Sequence, residues 1–312
     1  MQWSDRIGRR LKPRDLHVFL AVADNGNMAK AAEQLAISRP VVSKTIADLE
    51  HTLGVRLLDR TPKGVEPTLY GRALLRRSLA VFDELRQGVS EIESLSDPDA
   101  GELRVGCTEV MAAGLLSAVI NKLSRHHPRL VVRMELGSAS TNLDLLRNRT
   151  CEIVVGRPPV GAPLEDLESK ALFCERLNIV AGAQSKWARR RRLKLKDLMQ
   201  ERWIQARHEV SPTGPTYEAF KAAGLPLPRI SIFSESLNLR YSLLATGEFL
   251  TMIPGSVLRF GPDRAAIKVL ALAAPRWRFP TCILTLKNRT LTPLAQRFID
   301  CVRDTAAPLA KA

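Results

Sequence analysis

The sequence predicts an α/β protein with an N-terminal winged helix-turn-helix, a long linker helix and a C-terminal domain of two α/β lobes. Three observations lead to this fold class: short helical patterns before residue 60, an unbroken helical pattern over about 69–95, and alternating strand and helix patterns from residue 103 onward. The predicted domains are 1–68, 69–97 and 98–312. In the last domain, lobe I takes about 101–180 and 279–312, and lobe II takes about 181–278.

Composition narrows the class of protein. The chain has 312 residues, 45% of them apolar and 25% charged, which is typical of a soluble globular protein with two or three domains. No apolar run approaches the roughly 18 residues of a membrane span, and no apolar segment follows the basic N-terminus. We therefore expect a cytoplasmic protein without a signal peptide or a membrane partner.

The five cysteines are scattered and never occur in C-x-x-C spacing. They predict neither a zinc site nor a disulfide framework, and the five histidines show no metal-ligand spacing either. The chain also lacks G-x-S-x-G, G-x-G-x-x-G, a P-loop and H-E-x-x-H. We therefore expect no metal, no cofactor, no catalytic residues and no enzymatic activity. A periplasmic solute-binding protein is disfavoured by the 97 residues that precede the α/β domain.

The net charge of +15 suggests a polyanionic partner, but its distribution is uneven. Residues 1–77 carry 14 Lys and Arg against 8 Asp and Glu, and residues 78–97 carry 1 against 5. Residues 98–312 carry 32 Lys and Arg against 19 Asp and Glu. Since most of the excess lies outside the predicted helix-turn-helix, bulk charge alone does not establish binding to nucleic acid.

The first three helices have clear boundary signals. Pro13 opens the first helix, Asn25-Gly26 ends it, and Asn27 caps the second. Only three residues separate the second helix from a third that begins after Ser38, which is the helix-turn-helix pattern. The apolar stripe of the third helix is formed by Val42, Ile46, Leu49 and Leu53.

The opposite face of the third helix carries Val41 and Lys44. If this helix enters a major groove, Arg39 at its tip can form a bidentate contact with guanine, and Pro40 and Val41 can touch a thymine methyl group. Ser38 or Ser43 can bond a base edge or a phosphate, and Lys44 pairs most simply with a phosphate. The alternative is a solvated face with one stray valine.

Two further elements follow. Residues 60–68 predict a tight hairpin, or wing, that carries Arg60 and Lys63. The long helix over about 69–95 repeats apolar residues at spacings of three and four, which favours pairing with a partner helix over packing on its own domain alone. The residues of this seam are Leu75, Leu79, Phe82, Leu85, Val89 and Ile92.

The C-terminal part shows two successive groups of strands and helices, which predict two lobes with a ligand cleft between them. The first group has strand patterns at 103–107, 130–137 and 151–157. The second has strand patterns at 202–207, 229–233 and 249–254, with helices near 215–223 and 236–246. A strand at 280–287 and a helix over about 292–304 complete the chain.

The stretch 21–71, "AVADNGNMAKAAEQLAISRPVVSKTIADLEHTLGVRLLDRTPKGVEPTLYG", resembles the N-terminal winged helix-turn-helix of LysR-type transcriptional regulators. The matches are "AA" at 31–32, "S-x-P" at 38–40, Ser43, Ile46, "LE" at 49–50, "LG" at 53–54 and Arg60. The resemblance extends to the long helix and the bilobed part. It implies a sequence-specific DNA-binding regulator, paired through the linker helix, whose C-terminal half resembles a periplasmic binding protein and senses a small-molecule effector between its lobes.

The resemblance also implies which residues act and which partners they meet. The expected partners are double-stranded promoter DNA, the effector, other copies of the chain in a homodimer or homotetramer, and RNA polymerase. The DNA contacts fall by position on Ser38, Arg39, Pro40, Val41, Ser43, Lys44, Arg60 and Lys63. Arg39 stands where the family commonly has Gln, which favours guanine over adenine at that position.

The effector contacts implied by the resemblance lie after the first and second strands of lobe I and in loops of lobe II. They fall on Thr108, Glu109, Val110, Ser138, Ser140, Ser211, Thr213 and Ser236. Glu109 would repel a carboxylate and could instead accept hydrogen bonds from hydroxyl or amine groups. For Glu109 and for each serine, capping a helix N-terminus is the alternative role.

Two other features of the sequence suggest further hypotheses. Residues 186–196, "KWARRRRLKLK", contain seven cations, and the default interpretation of such a run is a solvent-exposed face. A second contact with DNA phosphates or with polymerase is the alternative for this run. Cys107 lies near the expected cleft, where it is either a redox sensor or an ordinary small buried residue.

Overall fold

The computed structural model describes residues 10–62, 64–97, 100–261, 266–272 and 277–310, without the side chains of Ser94 and Ser96. The chain divides into two compact units, Met1–Val89 and Ser90–Ala312. No helix among the described residues is both long and apolar enough to cross a membrane.

The first unit confirms the predicted winged helix-turn-helix. Its elements are α1 (Pro13–Asn25), α2 (Met28–Gln34), α3 (Arg39–Leu53), β1 (Leu58–Thr61), β2 (Gly64–Pro67) and the long α4 (Leu69–Ser96). Strands β1 and β2 pair antiparallel and form the wing. Residues from α1, α2 and α3 build one core, whose fully buried members include Phe19, Ala31 and Val42.

Local signals explain where these helices begin and end. Gly26 adopts a left-handed conformation (φ 59°) after α1, which glycine accepts without steric cost. The side chain of Asn27 caps α2 by accepting hydrogen bonds from the backbone N–H of Ala29 (2.8 Å) and Lys30 (3.3 Å). Ser38 occupies the N-cap position of α3, but its side chain makes no capping hydrogen bond.

The wing is tied to α3 by the side chain of Glu50. Its Oε1 accepts hydrogen bonds from the backbone N–H of Leu57 (2.7 Å) and Leu58 (3.2 Å). Gly71, in the first turn of α4, passes so close to this segment that a Cβ there would lie 2.0 Å from the carbonyl oxygen of Leu57. The wing is therefore held in a fixed position beside α3.

Helix α4 packs on its own domain near its start and is exposed further along. Leu74 and Leu75 near its start pack against the core of the first unit, and the ring of Phe82 lies 5.7 Å from that of His17. Further along, a continuous apolar stripe is exposed to solvent. The stripe consists of Val81, Leu85, Val89, Ile92 and Leu95.

The second unit alternates strands and helices. Its strands are β3 (Ala100–Cys107), β4 (Arg129–Leu136), β5 (Ile153–Gly156), β6 (Leu167–Gly182), β7 (Arg202–Gln205), β8 (Ile230–Phe233), β9 (Phe249–Pro254), β10 (Ile267–Val269) and β11 (Arg278–Leu286). Its helices are α5 (Glu109–Met111), α6 (Ser117–His126), α7 (Ala139–Arg147), α8 (Pro215–Ala222), α9 (Leu237–Ala245), α10 (Gly255–Phe260) and α11 (Pro293–Ala310). A π-helical turn, Ala112–Leu116, joins α5 to α6.

Strand β6 connects the lobes. Among the described residues, the strand order is β4-β3-β5-β11-β6-β9-β7-β8, with β10 also paired to β6. The first part of β6 pairs with β11 in lobe I, and from Leu177 onward β6 pairs with β9 in lobe II. The sequence did not predict β6, which at 16 residues crosses from one lobe to the other. Each lobe has its own apolar core, around Leu103 and Phe298 in lobe I and around Trp203 and Phe220 in lobe II.

The lobes also approach each other closely away from these strands. A Cβ at Gly114, in the π-helical turn of lobe I, would lie 3.0 Å from the backbone nitrogen of Val257 in α10. Val110 and Ala113 pack against a cluster of buried lobe II residues that includes Val257. Helix α5 and the π-helical turn, which follow β3, are thus part of the contact between the lobes.

Candidate DNA interface and effector cleft

The exposed surface of the first unit contains a shallow groove of about 240 Å³ between α3, the wing and the start of α2. Arg39 and Ser43 of α3 and Arg60 of β1 all line it. Thus the structure brings three residues predicted to contact DNA to one site from two separate elements. Asn27, Met28, Ala29, Thr61, Gly64 and Val65 complete the lining, and sequence reasoning did not select them.

The other predicted contact residues of α3 lie on its solvent face. Ser38, Pro40 and Lys44 are exposed, as is Val41, at 40% of its surface. Exposure of an apolar side chain beside an exposed cation is the arrangement expected of a helix that reads a groove. The predicted contact at Lys63 lies outside the described residues.

The second unit contains a cleft of about 320 Å³ between the lobes. Six of the eight predicted effector residues line this cleft: Thr108, Val110, Ser138, Ser140, Ser211 and Thr213. They come from the turn after β3, the start of α7 and the loop before α8. Most of the remaining lining is apolar, including Met111, Pro158, Pro159, Val160, Leu177, Pro254, Phe279 and Pro280.

The serines of the cleft also have local partners. Ser138 Oγ accepts a hydrogen bond from the backbone N–H of Thr141 (3.2 Å) and lies 2.9 Å from Ser140 Oγ, so Ser138 caps α7. Ser211 Oγ donates to the carbonyl oxygen of His208 (2.9 Å). Ser138 therefore combines the capping role with exposure to the cleft, whereas Ser211 acts as a donor to a carbonyl oxygen and caps no helix N-terminus.

Glu109 and Ser236 are not among the residues that line the cleft. Glu109 Oε1 instead accepts a hydrogen bond from the backbone N–H of Leu237 (2.7 Å), at the N-terminus of α9 in the other lobe. Ser236 is the N-cap residue of α9, and its Oγ accepts from the N–H of Leu239 (3.3 Å). Both side chains thus satisfy one helix N-terminus, and Glu109 links the lobes in doing so.

Arg157 is the main cleft residue that sequence reasoning missed. Its Nη2 donates to both carboxylate oxygens of Glu218 (3.1 and 3.0 Å), and its guanidinium lies 4.5 Å from the ring centre of Phe279. Its Nη1 is buried and has no hydrogen-bond partner among the described residues. Arg157 directly follows β5, which is parallel to β3. Because ligands in α/β sheets bind at the carboxyl ends of the strands, its position after the third strand of lobe I was the sequence signal that could have identified it.

Two buried carboxylates also reach the cleft. Oε2 of Glu209 lies 2.9 Å from Nη2 of Arg240, and both side chains are almost fully buried. Glu175 on β6 accepts hydrogen bonds from the backbone N–H and the hydroxyl group of Ser256 in α10. Burial raises the pKa of Glu175 above its ordinary value of 4.5, and the hydrogen bonds from Ser256 partly oppose that rise.

The thiol of Cys107 is fully buried, and this burial raises its pKa to about 12. A thiol with so little thiolate at neutral pH is a poor nucleophile, so the structure favours the ordinary buried role over the redox hypothesis. Among the described residues, no group of three or more His, Cys, Asp and Glu side chains is arranged to hold a metal ion.

Comparisons with known proteins agree with this architecture. The family model described as "LysR substrate binding domain" matches residues 96–307, and the one described as "Bacterial regulatory helix-turn-helix protein, lysR family" matches residues 13–72. The HTH-type transcriptional regulator GbpR of Azospirillum brasilense is 27% identical over 300 residues, covering 94% of this chain and 86% of GbpR. The transcriptional dual regulator GltC of Bacillus subtilis is 25% identical over 289 residues, covering 93% and 95%.

Solved structures of full-length regulators share the fold. A full-length OxyR variant from Pseudomonas aeruginosa superposes with a TM-score of 0.66 at 19% identity, covering 95% of this chain and 94% of OxyR. Full-length CbnR, solved in complex with its target DNA, superposes with a TM-score of 0.64 at 23% identity, and the match covers 95% of this chain and 100% of CbnR. Both GbpR and GltC are described as transcriptional regulators.

Proposed function

The chain belongs to the LysR family of transcriptional regulators, with a DNA-binding helix-turn-helix and an effector-binding domain, and we propose which of its residues perform each task. The observation that carries the proposal is the exposed groove where Arg39, Ser43 and Arg60 meet. In the proposed complex α3 enters the major groove of promoter DNA, and the wing lies along the phosphate backbone.

The proposed DNA contacts divide by role. Arg39 reads guanine through its bidentate guanidinium, and Pro40 and Val41 contact a thymine methyl group. Lys44 and Arg60 bind phosphates, which fix the position of the protein without reading sequence. Ser38 and Ser43 donate to a base edge or a phosphate, and Lys63 adds a phosphate contact from the wing.

The proposed effector binds in the cleft between the lobes. Thr108, Val110, Ser138, Ser140, Ser211 and Thr213 remain the proposed contacts, since all six line the cleft. Arg157 joins them, because its unpaired Nη1 is suited to a hydrogen-bond acceptor on the ligand. Glu109 and Ser236 are proposed to act indirectly, by holding the N-terminus of α9 at the edge of the same lobe contact.

We propose that the chain forms a homodimer through α4, with a homotetramer as the higher assembly. The exposed stripe from Val81 to Leu95 supports this, because a helix with such a stripe gains stability when a second helix covers it. Exposed cations near the start of α4 (Arg72, Arg76 and Arg77) and exposed acids nearer its end (Glu91 and Glu93) favour antiparallel pairing of two copies.

The cellular setting follows from the family. A regulator of bacterial promoters must reach chromosomal DNA, so we propose a cytoplasmic location. RNA polymerase is the protein whose access or activity such a regulator changes, and it is the proposed further partner.

The test of the proposed function uses the full-length chain. Binding sites are selected from random-sequence duplexes, and the selected site is then examined by footprinting and by titration with metabolites. We expect one recurrent sequence to be protected, and an effector to raise the melting temperature of the protein by an amount that grows with the logarithm of its concentration above the dissociation constant. Failure to enrich any sequence would refute the DNA-reading role of α3.

A further inference from the structure

Residues 186–196 of lobe II, which we call the basic turn, form a strongly cationic surface that the functions above do not use. Its seven cations are all exposed: Lys186, Arg189, Arg190, Arg191, Arg192, Lys194 and Lys196. Within the described part of the chain, six of them make no ion pair, since only Lys186 has an acidic partner, Glu201 (2.9 Å). One of these six, Arg190, stacks on Trp187. The nearby carboxylate of Asp197 accepts from the backbone N–H of Lys194.

The basic turn is anchored to the protein at several points. Trp187, Leu193 and Leu195 are at most 8% exposed and belong to the core cluster of lobe II around Trp203. Leu193 N–H also donates to the carbonyl oxygen of Ala271 (3.2 Å). The run therefore presents its cations from a fixed backbone, which lowers the entropy lost when they bind.

From this arrangement we propose that the basic turn is a second, sequence-independent contact with the phosphate backbone of DNA that flanks the site read by α3. This inference rests on the proposed function, because the helix-turn-helix must first hold the chain on DNA. Once it does, the second contact is intramolecular, with an effective concentration that can reach the millimolar range. Nonspecific DNA contacts with dissociation constants of about 10⁻⁴–10⁻⁶ M would then be occupied.

The chemistry of the surface favours DNA over the other polyanions. Four consecutive arginines supply planar guanidinium groups, which match phosphate oxygens with two hydrogen bonds each. The apolar side chains of the run are buried, so it offers none of the exposed aromatic anchors on which protein interfaces depend. For the same reason it has no side chain to insert into a lipid surface.

The experiment compares two DNA fragments that carry the selected binding site, one trimmed to that site and one extended by roughly two helical turns on each side. The test variant Arg189→Gln/Arg191→Gln/Arg192→Asn removes three cations and leaves Arg190 on Trp187. Asn is chosen at 192 because the backbone there is left-handed (φ 59°), which Asn tolerates. The matched control is Arg125→Gln/Arg229→Gln/Lys287→Gln, which removes three exposed cations elsewhere in the same unit.

We expect the wild type and the control to bind the extended fragment more tightly, with a steeper fall of affinity with salt. The test variant should lose that gain, and its slope of log affinity against log salt concentration should decrease by about one for each lost phosphate contact. All three proteins should bind the trimmed fragment alike, so this readout also separates failure of the proposed function from failure of the basic turn.

Equal salt slopes for the test variant and the wild type on the extended fragment would overturn the proposal. An equal loss on both fragments would also overturn it, because the effect would then not depend on flanking DNA. Vesicles of anionic phospholipid and poly-glutamate serve as alternative partners. Binding of either one that depends on the basic turn, without any flank effect on DNA, would assign the surface to that partner instead.

Discussion

At the scale of single residues, the two sites use charge in opposite ways. The DNA face keeps Arg39, Lys44 and Arg60 exposed, where cations are free to meet phosphates and base edges. In the cleft, Arg157 is paired with Glu218 and Glu209 with Arg240, while Glu175 accepts hydrogen bonds from Ser256. A buried polar atom without a partner is available to a ligand, and Arg157 Nη1 is such an atom among the described residues.

Arg39 and Lys44 should respond differently to truncation. Arg39→Ala should cost about 1–3 kcal/mol of binding free energy at the selected site and relax the preference at one base position. Lys44→Ala should weaken binding to all sequences alike, because phosphate contacts carry no base information. Titration of both variants against duplexes with each base at that position separates the two. A uniform loss for Arg39→Ala would exclude base reading by this side chain.

Glu175 should make the stability of the folded protein depend on pH. Its pKa is raised in the folded state, so between its ordinary value of 4.5 and that raised value the folded protein binds more protons than the unfolded chain. The free energy of unfolding therefore falls as the pH rises through this window, and the loss is complete above the raised pKa. Glu175→Gln cannot ionise and should lack this fall in urea unfolding measured from about pH 4.5 upward.

A matched control for Glu175→Gln is available on the same strand. Glu168 is exposed on β6 and pairs with Lys170 at 3.0 Å, so Glu168→Gln removes a carboxylate without burial. Its unfolding profile should follow that of the wild type. If Glu175→Gln also kept the wild-type pH dependence, another group would have to be responsible for it.

At the scale of elements, the sequence predicted those whose boundaries depend on neighbours in the chain. Asn27 caps α2 through hydrogen bonds to residues two and three positions away, and Gly26 ends α1 through its left-handed backbone conformation. A sequence displays both signals directly. Strand β6 was missed because it changes lobe midway, and its burial pattern therefore follows no single period. The role of Glu109 was missed because its partner, Leu237, is 128 residues away.

Helix α4 supplies the prediction that belongs to this scale. Leu85→Glu/Val89→Glu places two charges on the exposed stripe, where a partner helix would have to bury them at considerable cost. We expect the mass measured by sedimentation equilibrium to fall toward that of a monomer while the helical circular dichroism signal is retained. Ser90→Glu, which adds charge off the stripe, is the control and should leave the assembly intact. An unchanged mass for the double variant would place the dimer contact elsewhere.

At the scale of the whole molecule, the second unit is built so that a ligand touches both lobes at once. The lobes share β6, meet at Gly114 and Val257, and are bridged by the hydrogen bond from Leu237 to Glu109. A molecule bound in the cleft contacts residues from each lobe, so it stabilises whichever arrangement of the lobes provides those contacts. Which molecule does this depends on side chains that converge from distant parts of the chain, and the sequence alone therefore left it open.

The two binding events must influence each other equally, whatever the route between the units. If the effector changes the affinity for DNA by some factor, DNA must change the affinity for the effector by the same factor, typically about 5–150-fold in regulated proteins. Calorimetric titration of the effector into free and into DNA-bound protein gives one ratio of dissociation constants. We expect titration of DNA into the protein with and without effector to give the same ratio. Arg157→Gln should weaken effector binding in both titrations while leaving DNA affinity without effector unchanged. Unequal ratios would mean that the effector acts at an additional site or changes the assembly. A loss of DNA affinity without effector in Arg157→Gln would mean that this side chain stabilises the fold and does not contact the ligand.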